Sequence, residues 1–137
     1  MVANLSVLVL AGGKGTRMKS AKPKPLHTIF GLPLLAHILQ TADTLKPAAN
    51  VILCGHQADL LKQTVKENYS AWGIKAKAEF ALQKVLNGSG SAVKDAMPVL
   101  KKYKQVLILA GDAPLIEADT LKKLVKHHNS KKASCTV

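Results

Sequence analysis

Short, unbroken runs of Val, Leu and Ile recur along this chain, and they constrain its fold more than any other feature. The first run spans residues 6–11 (SVLVLA), and two more span residues 50–54 (NVILC) and 105–110 (QVLILA). Residues 74–82 alternate less regularly but also resemble a strand. Continuous apolar runs of this length are typical of strands covered on both faces, as in a parallel sheet.

Segments with helical periodicity separate these strands. Pro33 opens a helix whose apolar residues recur at helical spacing, and Pro47 closes it. The remaining predicted elements are helices over residues 57–68, 91–100 and 121–128, and a fifth strand beginning at Ala133. This alternation predicts an α/β fold of the Rossmann-like type, with three layers and a doubly wound, mainly parallel sheet that carries helices on both faces.

Length, composition and cysteine usage indicate a single cytoplasmic domain. The chain has 137 residues and a hydrophobic content of 47%, which suits one core. Cys54 and Cys135 lack the spacing of metal ligands or of a redox pair, so we expect reduced thiols in a reducing compartment. The first apolar run has no signal-peptide features, and no run approaches the roughly 18 to 20 apolar residues of a membrane-spanning helix.

The charge balance predicts attraction to polyanions. The chain has 20 Lys and Arg residues against 8 Asp and Glu residues, a net charge of +12, which suits nucleic acid, phosphorylated metabolites or an anionic surface. An aromatic content of only 4% argues against a stacking platform for nucleic acid, and no zinc-finger or RNA-recognition signature is present. Most of the lysines occupy polar positions of amphipathic helices, where a solvated surface explains them.

A glycine-rich segment follows the first strand. Residues 10–18 (LAGGKGTRM) place three glycines in four positions, which lets the backbone approach a phosphate chain closely. The segment matches neither G-x-x-x-x-G-K-[ST] nor G-x-G-x-x-G, so it predicts neither a P-loop ATPase nor a dinucleotide site. A glycine turn without a ligand is the alternative, but it does not explain the cations that cluster behind it, namely Lys14, Arg17, Lys22 and Lys24.

Arg17 and Lys24 are the strongest candidates among these cations. The planar guanidinium of Arg17 suits bidentate phosphate contact, while Lys24 supplies a compact charge on a flexible side chain. Lys24 lies between Pro23 and Pro25, which restrict the backbone on both sides. An ordinary surface lysine in a stiff loop is the alternative for Lys24.

Polar residues also follow two of the later strands. Gln83 and a second glycine segment, residues 87–90, come after the third strand, and Asp112 comes after the fourth. Doubly wound sheets bind ligands at the carboxyl ends of their strands, and one carboxylate together with substrate phosphates can hold Mg²⁺. The alternatives are a solvated strand-end residue for Gln83 and a turn or helix-capping role for Asp112.

Several of these motifs resemble the sugar-phosphate nucleotidyltransferase, or pyrophosphorylase, superfamily. LAGGKGTRM, PKPLH and GLPLLAHIL are similar to its N-terminal signature, particularly that of the uridylyltransferase domains acting on N-acetylglucosamine 1-phosphate. Gln83 with residues 87–92 resembles the glutamine and glycine-threonine-glycine loop of that superfamily, and residues 109–116 resemble its metal-binding segment. The resemblance extends over essentially all 137 residues and implies a nucleotide-diphospho-sugar transferase type of fold.

The resemblance also implies roles for individual residues. A nucleoside triphosphate, most favourably UTP, would react with a sugar 1-phosphate and release pyrophosphate. Arg17 and Lys24 would be catalytic, and Asp112 would ligate Mg²⁺. The nucleotide-binding residues would be Ala11, Gly12, Gly13, Gly15, Gln83, Gly88 and Ser89. Among these, Gly13 and Gly15 would contact the triphosphate together with Arg17, while Gln83, Gly88 and Ser89 would hold the uracil base.

This sequence departs from the superfamily pattern in three respects. Ala110 stands where an aromatic residue is usual, and Ser91 stands where a histidine is usual, so the sugar remains open. The family's sugar pocket and its second metal ligand come from sequence beyond the equivalent of Val137. We therefore expect residues 1–137 to be the nucleotide-binding part of a domain truncated at its C-terminus. We also expect this part to bind UTP weakly, to make no UDP-sugar, and to self-associate or form homo-oligomers.

Two other functions fit the sequence. A non-catalytic module that binds nucleotide or RNA would use the same glycine loop and basic surface. A cytidylyltransferase that activates acidic sugars or polyols would share the glycine loop, with CTP in place of UTP.

Overall fold

The computed structural model describes residues 4–137, which form an α/β fold. The longer strands are β1 (Leu5–Leu10), β4 (Ala49–Cys54), β5 (Lys77–Leu82) and β6 (Gln105–Ala110), and β2 (Thr28–Ile29) and β3 (Leu32–Pro33) are short. The α-helices are α1 (Leu34–Asp43), α2 (Ala58–Asn68), α3 (Gly88–Leu100) and α4 (Ala118–Lys131). Single 3-10 turns occupy Thr16–Met18 and Lys24–Leu26.

The main sheet has four parallel strands in the order β5-β4-β1-β6. β1 is a central strand whose Leu8 pairs with Val51 of β4 on one side and with Ile108 of β6 on the other. The chain moves from β1 through β4 to β5, then crosses to the far side of β1 to form β6. This reversal lies between β1 and β6, and such switch points are where doubly wound sheets bind ligands at the carboxyl ends of their strands.

Helices cover both faces of the sheet, as predicted. On one face, Leu35 of α1, Leu61 of α2 and Leu121 of α4 belong to the same buried cluster as Val7 and Val9 of β1. On the other face, Ala92, Ala96 and Leu100 of α3 pack with Leu8, Val51 and Leu53. The three-layer, mainly parallel architecture predicted from the apolar runs is therefore confirmed.

A two-stranded antiparallel hairpin, β2–β3, was not predicted. Phe30 and Gly31 form its turn with φ values of 49° and 78°, and such left-handed conformations at both central residues match the right-handed twist of a hairpin. His37 of α1 holds the hairpin through its Nε2 atom, 2.7 Å from the Ile29 carbonyl oxygen. Strands of two residues are too short to show periodicity in a sequence.

The predicted fifth strand is wrong. Residues 133–137 form no strand, because α4 continues to Lys131 and leaves only a short tail. The Ala133 N–H donates to the His128 carbonyl, and His128 Nδ1 lies 2.8 Å from Thr136 Oγ1. These two contacts fold the tail back onto the helix that precedes it.

Two element boundaries also differ from the prediction. β5 begins at Lys77 rather than at Ile74, because the Asp43 carboxylate accepts the N–H groups of Lys75 and Ala76 at 3.0 and 2.8 Å. α3 begins at Gly88 rather than at Ser91, so the second glycine segment forms the first turn of a helix. Among the described residues, no helix is both long and apolar enough to cross a membrane.

Candidate active site

A cleft of about 380 Å³ opens at the carboxyl ends of β1, β5 and β6. It lies at the switch point of the sheet, where the topology predicts a ligand site. Every predicted site residue except Arg17 lines it, namely Ala11, Gly12, Gly13, Gly15, Lys24, Gln83, Gly88, Ser89 and Asp112. Residues that are distant in sequence therefore converge as the strand-end argument predicts.

The glycines of the first loop allow close packing around the cleft. A Cβ atom on Gly12 would lie 2.5 Å from Gln83 Oε1 and 3.3 Å from the backbone nitrogen of Gly55. Gly15 has a φ of 60°, and a Cβ atom there would lie 2.8 Å from the Cβ of Lys24. A side chain at Gly12 would displace the Gln83 amide and crowd the Gly55 backbone, and one at Gly15 would meet the Cβ of Lys24 in a backbone conformation that favours glycine.

Lys24 and Asp112 meet across the cleft although they are 88 residues apart in sequence. Lys24 Nζ donates to Asp112 Oδ2 at 3.0 Å, and both side chains are partly exposed. Pro23 and Pro25, both buried, fix the turn that carries Lys24. Gly111 separates Asp112 from the end of β6, and the Gly111 N–H donates to the Leu10 carbonyl at 3.0 Å, which ties this end of β6 to β1.

The Lys24 ammonium shows that the Asp112 carboxylate accepts a cation on its cleft side. Among residues 4–137 no three His, Cys, Asp or Glu side chains are grouped to hold a metal ion. A single carboxylate suits Mg²⁺ only if phosphate oxygens and waters supply the other ligands. The donor set therefore fits a metal that is shared with a bound triphosphate rather than one held by protein alone.

Arg17 is the predicted site residue that the structure does not bring into the cleft. It lies in the 3-10 turn Thr16–Met18, where its side chain is exposed and where Gly15 and Lys19 on either side both have left-handed backbone conformations. Lys14 is exposed on the same loop. Neither cation belongs to the lining of the cleft.

Gln83 is held in one orientation by hydrogen bonds. Its backbone N–H donates to the Cys54 carbonyl at 2.7 Å, which extends the β4–β5 pairing by one residue. Its side-chain Nε2 donates to the Val85 carbonyl at 3.2 Å. The opposite end of the amide, Oε1, then lies against Gly12.

Gly88 and Ser89 form the N-terminal turn of α3 at the rim of the cleft. The preceding residue, Asn87, makes no side-chain capping hydrogen bond to this helix. The first N–H groups of a helix lack partners within it, and its N-terminal end carries a partial positive charge. Sequence analysis treated this segment as a loop, and its helical character adds backbone donors to the site.

Sequence analysis missed the apolar residues of the cleft. Leu10, Pro25, Leu86 and Ala92 contribute to the lining, together with Ala110, which had been noted only as a departure from the family pattern. Leu86 packs beside Gly55, since its Cδ2 atom would lie 3.1 Å from a Cβ atom there. Leu86 and Ala92 flank the second glycine segment in sequence, and this proximity was the signal that could have identified them as lining residues. Ser91 is half-buried but is not part of the lining.

Cysteine chemistry plays no part in this site. Cys54 is buried at the end of β4, and burial raises the pKa of its thiol to about 11. A thiol with this pKa stays protonated near neutral pH and is a poor nucleophile. Cys135 is exposed in the C-terminal tail and is not paired with Cys54, as predicted.

A parallel sheet with a glycine loop after its first strand, and with a lysine facing a carboxylate across the switch point, defines an α/β nucleotidyltransferase domain. The family model described as "MobA-like NTP transferase domain" matches residues 7–137. The chain belongs to this family.

Curated relatives support the same assignment. The chain is 39% identical over 137 residues to the bifunctional protein GlmU of Streptococcus suis, and this match covers 99% of the chain and 28% of the relative. It is 46% identical over 122 residues to the bifunctional protein GlmU of Alcanivorax borkumensis, covering 89% of the chain and 25% of that relative. The chain thus spans little more than a quarter of the length of these relatives.

Solved structures share the fold. A UDP-glucose pyrophosphorylase complexed with UDP-glucose superposes with a TM-score of 0.75 at 19% identity, covering 93% of this chain and 54% of that one. A CMP:2-keto-3-deoxy-manno-octonic acid synthetase complexed with CTP gives 0.65 at 21% identity, covering 96% of this chain and 49% of that one. These likenesses confirm the predicted nucleotide-diphospho-sugar transferase type of fold.

Proposed function

We propose that this domain holds a nucleoside triphosphate with Mg²⁺ for transfer of its nucleotidyl group to a sugar 1-phosphate, with UTP and N-acetylglucosamine 1-phosphate as the favoured substrates. One observation carries the proposal: Lys24 Nζ and Asp112 Oδ2 meet at 3.0 Å in a cleft walled by the glycine loop. An anion-binding loop, a cation and a carboxylate that could hold a metal ion are the parts that such a reaction needs.

In the proposed reaction an oxygen of the sugar 1-phosphate attacks the α-phosphorus of the triphosphate in line, and pyrophosphate leaves. The attacking group is already anionic, so no protein nucleophile or general base is required, and positioning with charge stabilisation provides the catalysis. Glycine-loop N–H groups would contact the phosphates, with Lys24 neutralising their charge and Arg17 adding charge from the loop. Asp112 would hold Mg²⁺, which neutralises charge on the phosphate oxygens.

Two features support the nucleobase and sugar assignments. The Gln83 amide has a donor and an acceptor, as a uracil edge requires, and it lines the cleft beside Gly12. The resemblance of LAGGKGTRM, PKPLH and GLPLLAHIL to uridylyltransferase domains that act on N-acetylglucosamine 1-phosphate favours that sugar phosphate. The CTP complex of a protein with this fold keeps a cytidylyltransferase as the rival.

A calorimetric titration of this chain tests the proposal. We expect UTP to bind in the presence of Mg²⁺, more tightly than CTP, and an RNA oligomer of mixed sequence to bind no better at the same phosphate concentration. Asp112→Asn tests the metal assignment. It should leave the melting temperature nearly unchanged, because the side chain is half exposed. It should also remove most of the Mg²⁺ dependence of binding, since an amide is a poor ligand for a hard dication.

Three results would argue against this function. Tighter binding of RNA than of UTP would favour a polyanion-binding module. Tighter binding of CTP would favour the cytidylyltransferase. Unchanged Mg²⁺ dependence in Asp112→Asn would place the metal elsewhere.

A further inference from the structure

Residues 83–87 connect β5 to α3 and carry Gln83 into the cleft. This connection is held from outside by one side chain: Asp95 Oδ2 accepts the backbone N–H of Lys84 at 3.0 Å. Asp95 lies on α3 and is half-buried. A hydrogen bond from an N–H group to a carboxylate is stronger than one to a neutral acceptor, so Asp95 fixes the peptide that follows Gln83.

The carbonyl of Val85 is the next link. It accepts the Gln83 side-chain Nε2 at 3.2 Å and the Asn87 N–H at 2.9 Å. A carbonyl oxygen accepts only from the nitrogen end of an amide, so this contact determines which end of the Gln83 amide faces which way. The N–H that Asp95 holds belongs to the peptide between Gln83 and Lys84, two peptide units before the Val85 carbonyl in the same short connection, so Asp95 restrains the backbone that leads to this carbonyl.

Amide orientation matters because uracil and cytosine present opposite patterns. Uracil offers a carbonyl acceptor and a ring N–H donor, whereas cytosine offers an amino donor and a ring nitrogen acceptor at the corresponding edge. An amide that turns by 180° exchanges its donor and its acceptor, and it then suits the other base. Recognition of one base over the other requires that the amide be prevented from turning.

We infer that Asp95 is a positioning residue for nucleobase discrimination: by holding the Lys84 N–H it places the Val85 carbonyl, which in turn fixes the Gln83 amide. The inference rests on the proposed function, in which Gln83 faces the base. Asp95 does not line the cleft, and it would act on the site through two hydrogen bonds: its own with the Lys84 N–H, and the one between Gln83 Nε2 and the Val85 carbonyl.

The test compares UTP and CTP dissociation constants, measured by calorimetry with Mg²⁺, for four proteins: the unaltered chain, Asp95→Ala, Asp95→Asn and Glu67→Ala. Asp95→Ala should lower the preference for UTP over CTP by about three- to tenfold, within the discrimination that a two-point hydrogen-bonded contact provides. Asp95→Asn keeps an acceptor oxygen and should retain most of the preference. Glu67→Ala removes an exposed carboxylate on α2, whose partner is Gln63, and should change nothing.

A double variant separates positioning from a general loss of structure. In a Gln83→Ala background, Asp95→Ala should have no further effect on the UTP to CTP ratio, because the amide that it orients is absent. If Asp95→Ala does not fold, Asp95→Ser replaces it, since the shorter hydroxyl side chain does not reach the Lys84 N–H.

Two outcomes would overturn the inference. One is a UTP to CTP ratio in Asp95→Ala that equals that of the unaltered chain. The other is equal affinity of the unaltered chain for UTP and CTP, which would show that the chain binds a triphosphate but does not discriminate between the bases. Absence of all nucleotide binding by the unaltered chain would instead reject the proposed function itself, and the inference with it.

Discussion

Lys24 pairs with the carboxylate that the proposed function assigns to a metal ion, so the two cations compete for one ligand. Lys24 Nζ lies 3.0 Å from Asp112 Oδ2 and neutralises the carboxylate. In the proposed function, the phosphate oxygens of a bound nucleotide would offer Lys24 a second anionic partner, and the carboxylate would become available to a dication. The proposed function therefore implies that this ion pair couples metal binding to nucleotide binding.

This competition predicts opposite effects of Lys24→Gln on two measurements. Mn²⁺ alone, followed by electron paramagnetic resonance, should bind more tightly because Asp112 is freed. UTP with Mg²⁺ should bind about tenfold more weakly, since a charge-assisted contact to phosphate is lost. Lys22→Gln is the control on the same loop, where only backbone atoms of Lys22 make hydrogen bonds. Changes of the same sign in both measurements would contradict the competition.

Gly12 and Gly13 are adjacent in sequence but differ in their surroundings, which gives a second prediction. Gly12→Ala places a methyl group against Gln83 Oε1 and the Gly55 backbone, and it should lower the free energy of unfolding by about 1–3 kcal/mol and weaken UTP binding. Gly13→Ala meets no atom within 4 Å, so its free energy of unfolding should change by less than about 0.5 kcal/mol. Urea denaturation and calorimetry measure both effects, and equal destabilisation by the two substitutions would refute this account of the loop.

At this scale the sequence predicted which residues line the cleft better than it predicted their contacts. Gly12, Lys24 and Asp112 were identified because glycine spacing, flanking prolines and position after a strand are local features. The Lys24–Asp112 ion pair and the Gly12–Gln83 packing depend on how distant strands align, which no local pattern encodes. Apolar lining residues such as Leu86 were missed because an apolar residue in a loop has no chemical signature.

Among the elements, β5 is tied to the turn that follows α3 by a charged cluster outside the cleft lining. Glu79 of β5 accepts hydrogen bonds from Lys102 Nζ at 2.9 Å and Tyr103 Oη at 3.1 Å, and Lys77 Nζ lies 3.0 Å from its carboxylate. Burial by itself would raise the pKa of Glu79, but the hydrogen bonds from Lys102, Lys77 and Tyr103 outweigh it and lower the pKa below 4.5.

The lowered pKa of Glu79 predicts how stability depends on acid. As the pH falls, the Glu79 carboxylate takes up a proton at a higher pH in the unfolded chain than in the folded chain. The stability that Glu79 contributes is therefore present above the unfolded pKa of about 4.5 and is lost as the pH falls through the folded pKa. Glu79→Gln should therefore flatten the fall in the free energy of unfolding below about pH 5, measured by urea denaturation at several pH values. Glu67→Gln on α2 should leave that slope unchanged, and an unaltered slope in Glu79→Gln would show that the cluster adds no acid-sensitive stability.

Predictions of elements succeeded where apolar residues fill a whole strand. β1 and β4 are buried along almost their entire length, so their sequences alone identify them. The strand predicted at residues 133–137 is absent for a different reason. A short β-prone segment forms a strand only where a neighbouring strand offers backbone hydrogen bonds. Here the hydrogen-bond partners of the segment come from α4, the helix that precedes it.

On the scale of the whole molecule, β6 is the end strand of the sheet described by residues 4–137, and it pairs only with β1. Its Ile108 is 46% exposed, and Leu115 beyond it is 81% exposed. An apolar end strand with unpaired backbone groups is a template for pairing with a second copy. The net charge of +12 opposes this association through repulsion, which dissolved salt screens.

Self-association through β6 should therefore increase with salt, whereas nucleotide binding, which depends on attraction of opposite charges, should decrease. Sedimentation velocity at about 0.05 and 0.5 M NaCl would show the first effect, since the screening length falls severalfold across this range. Ile108→Lys should keep the chain monomeric at both salt concentrations, because a charge at the end strand must be desolvated for pairing. Leu60→Lys provides the matched control, since Leu60 is also 46% exposed but lies on α2, and it should associate like the unaltered chain. Association that persists in Ile108→Lys, or that Leu60→Lys also abolishes, would place the contact elsewhere on the molecule.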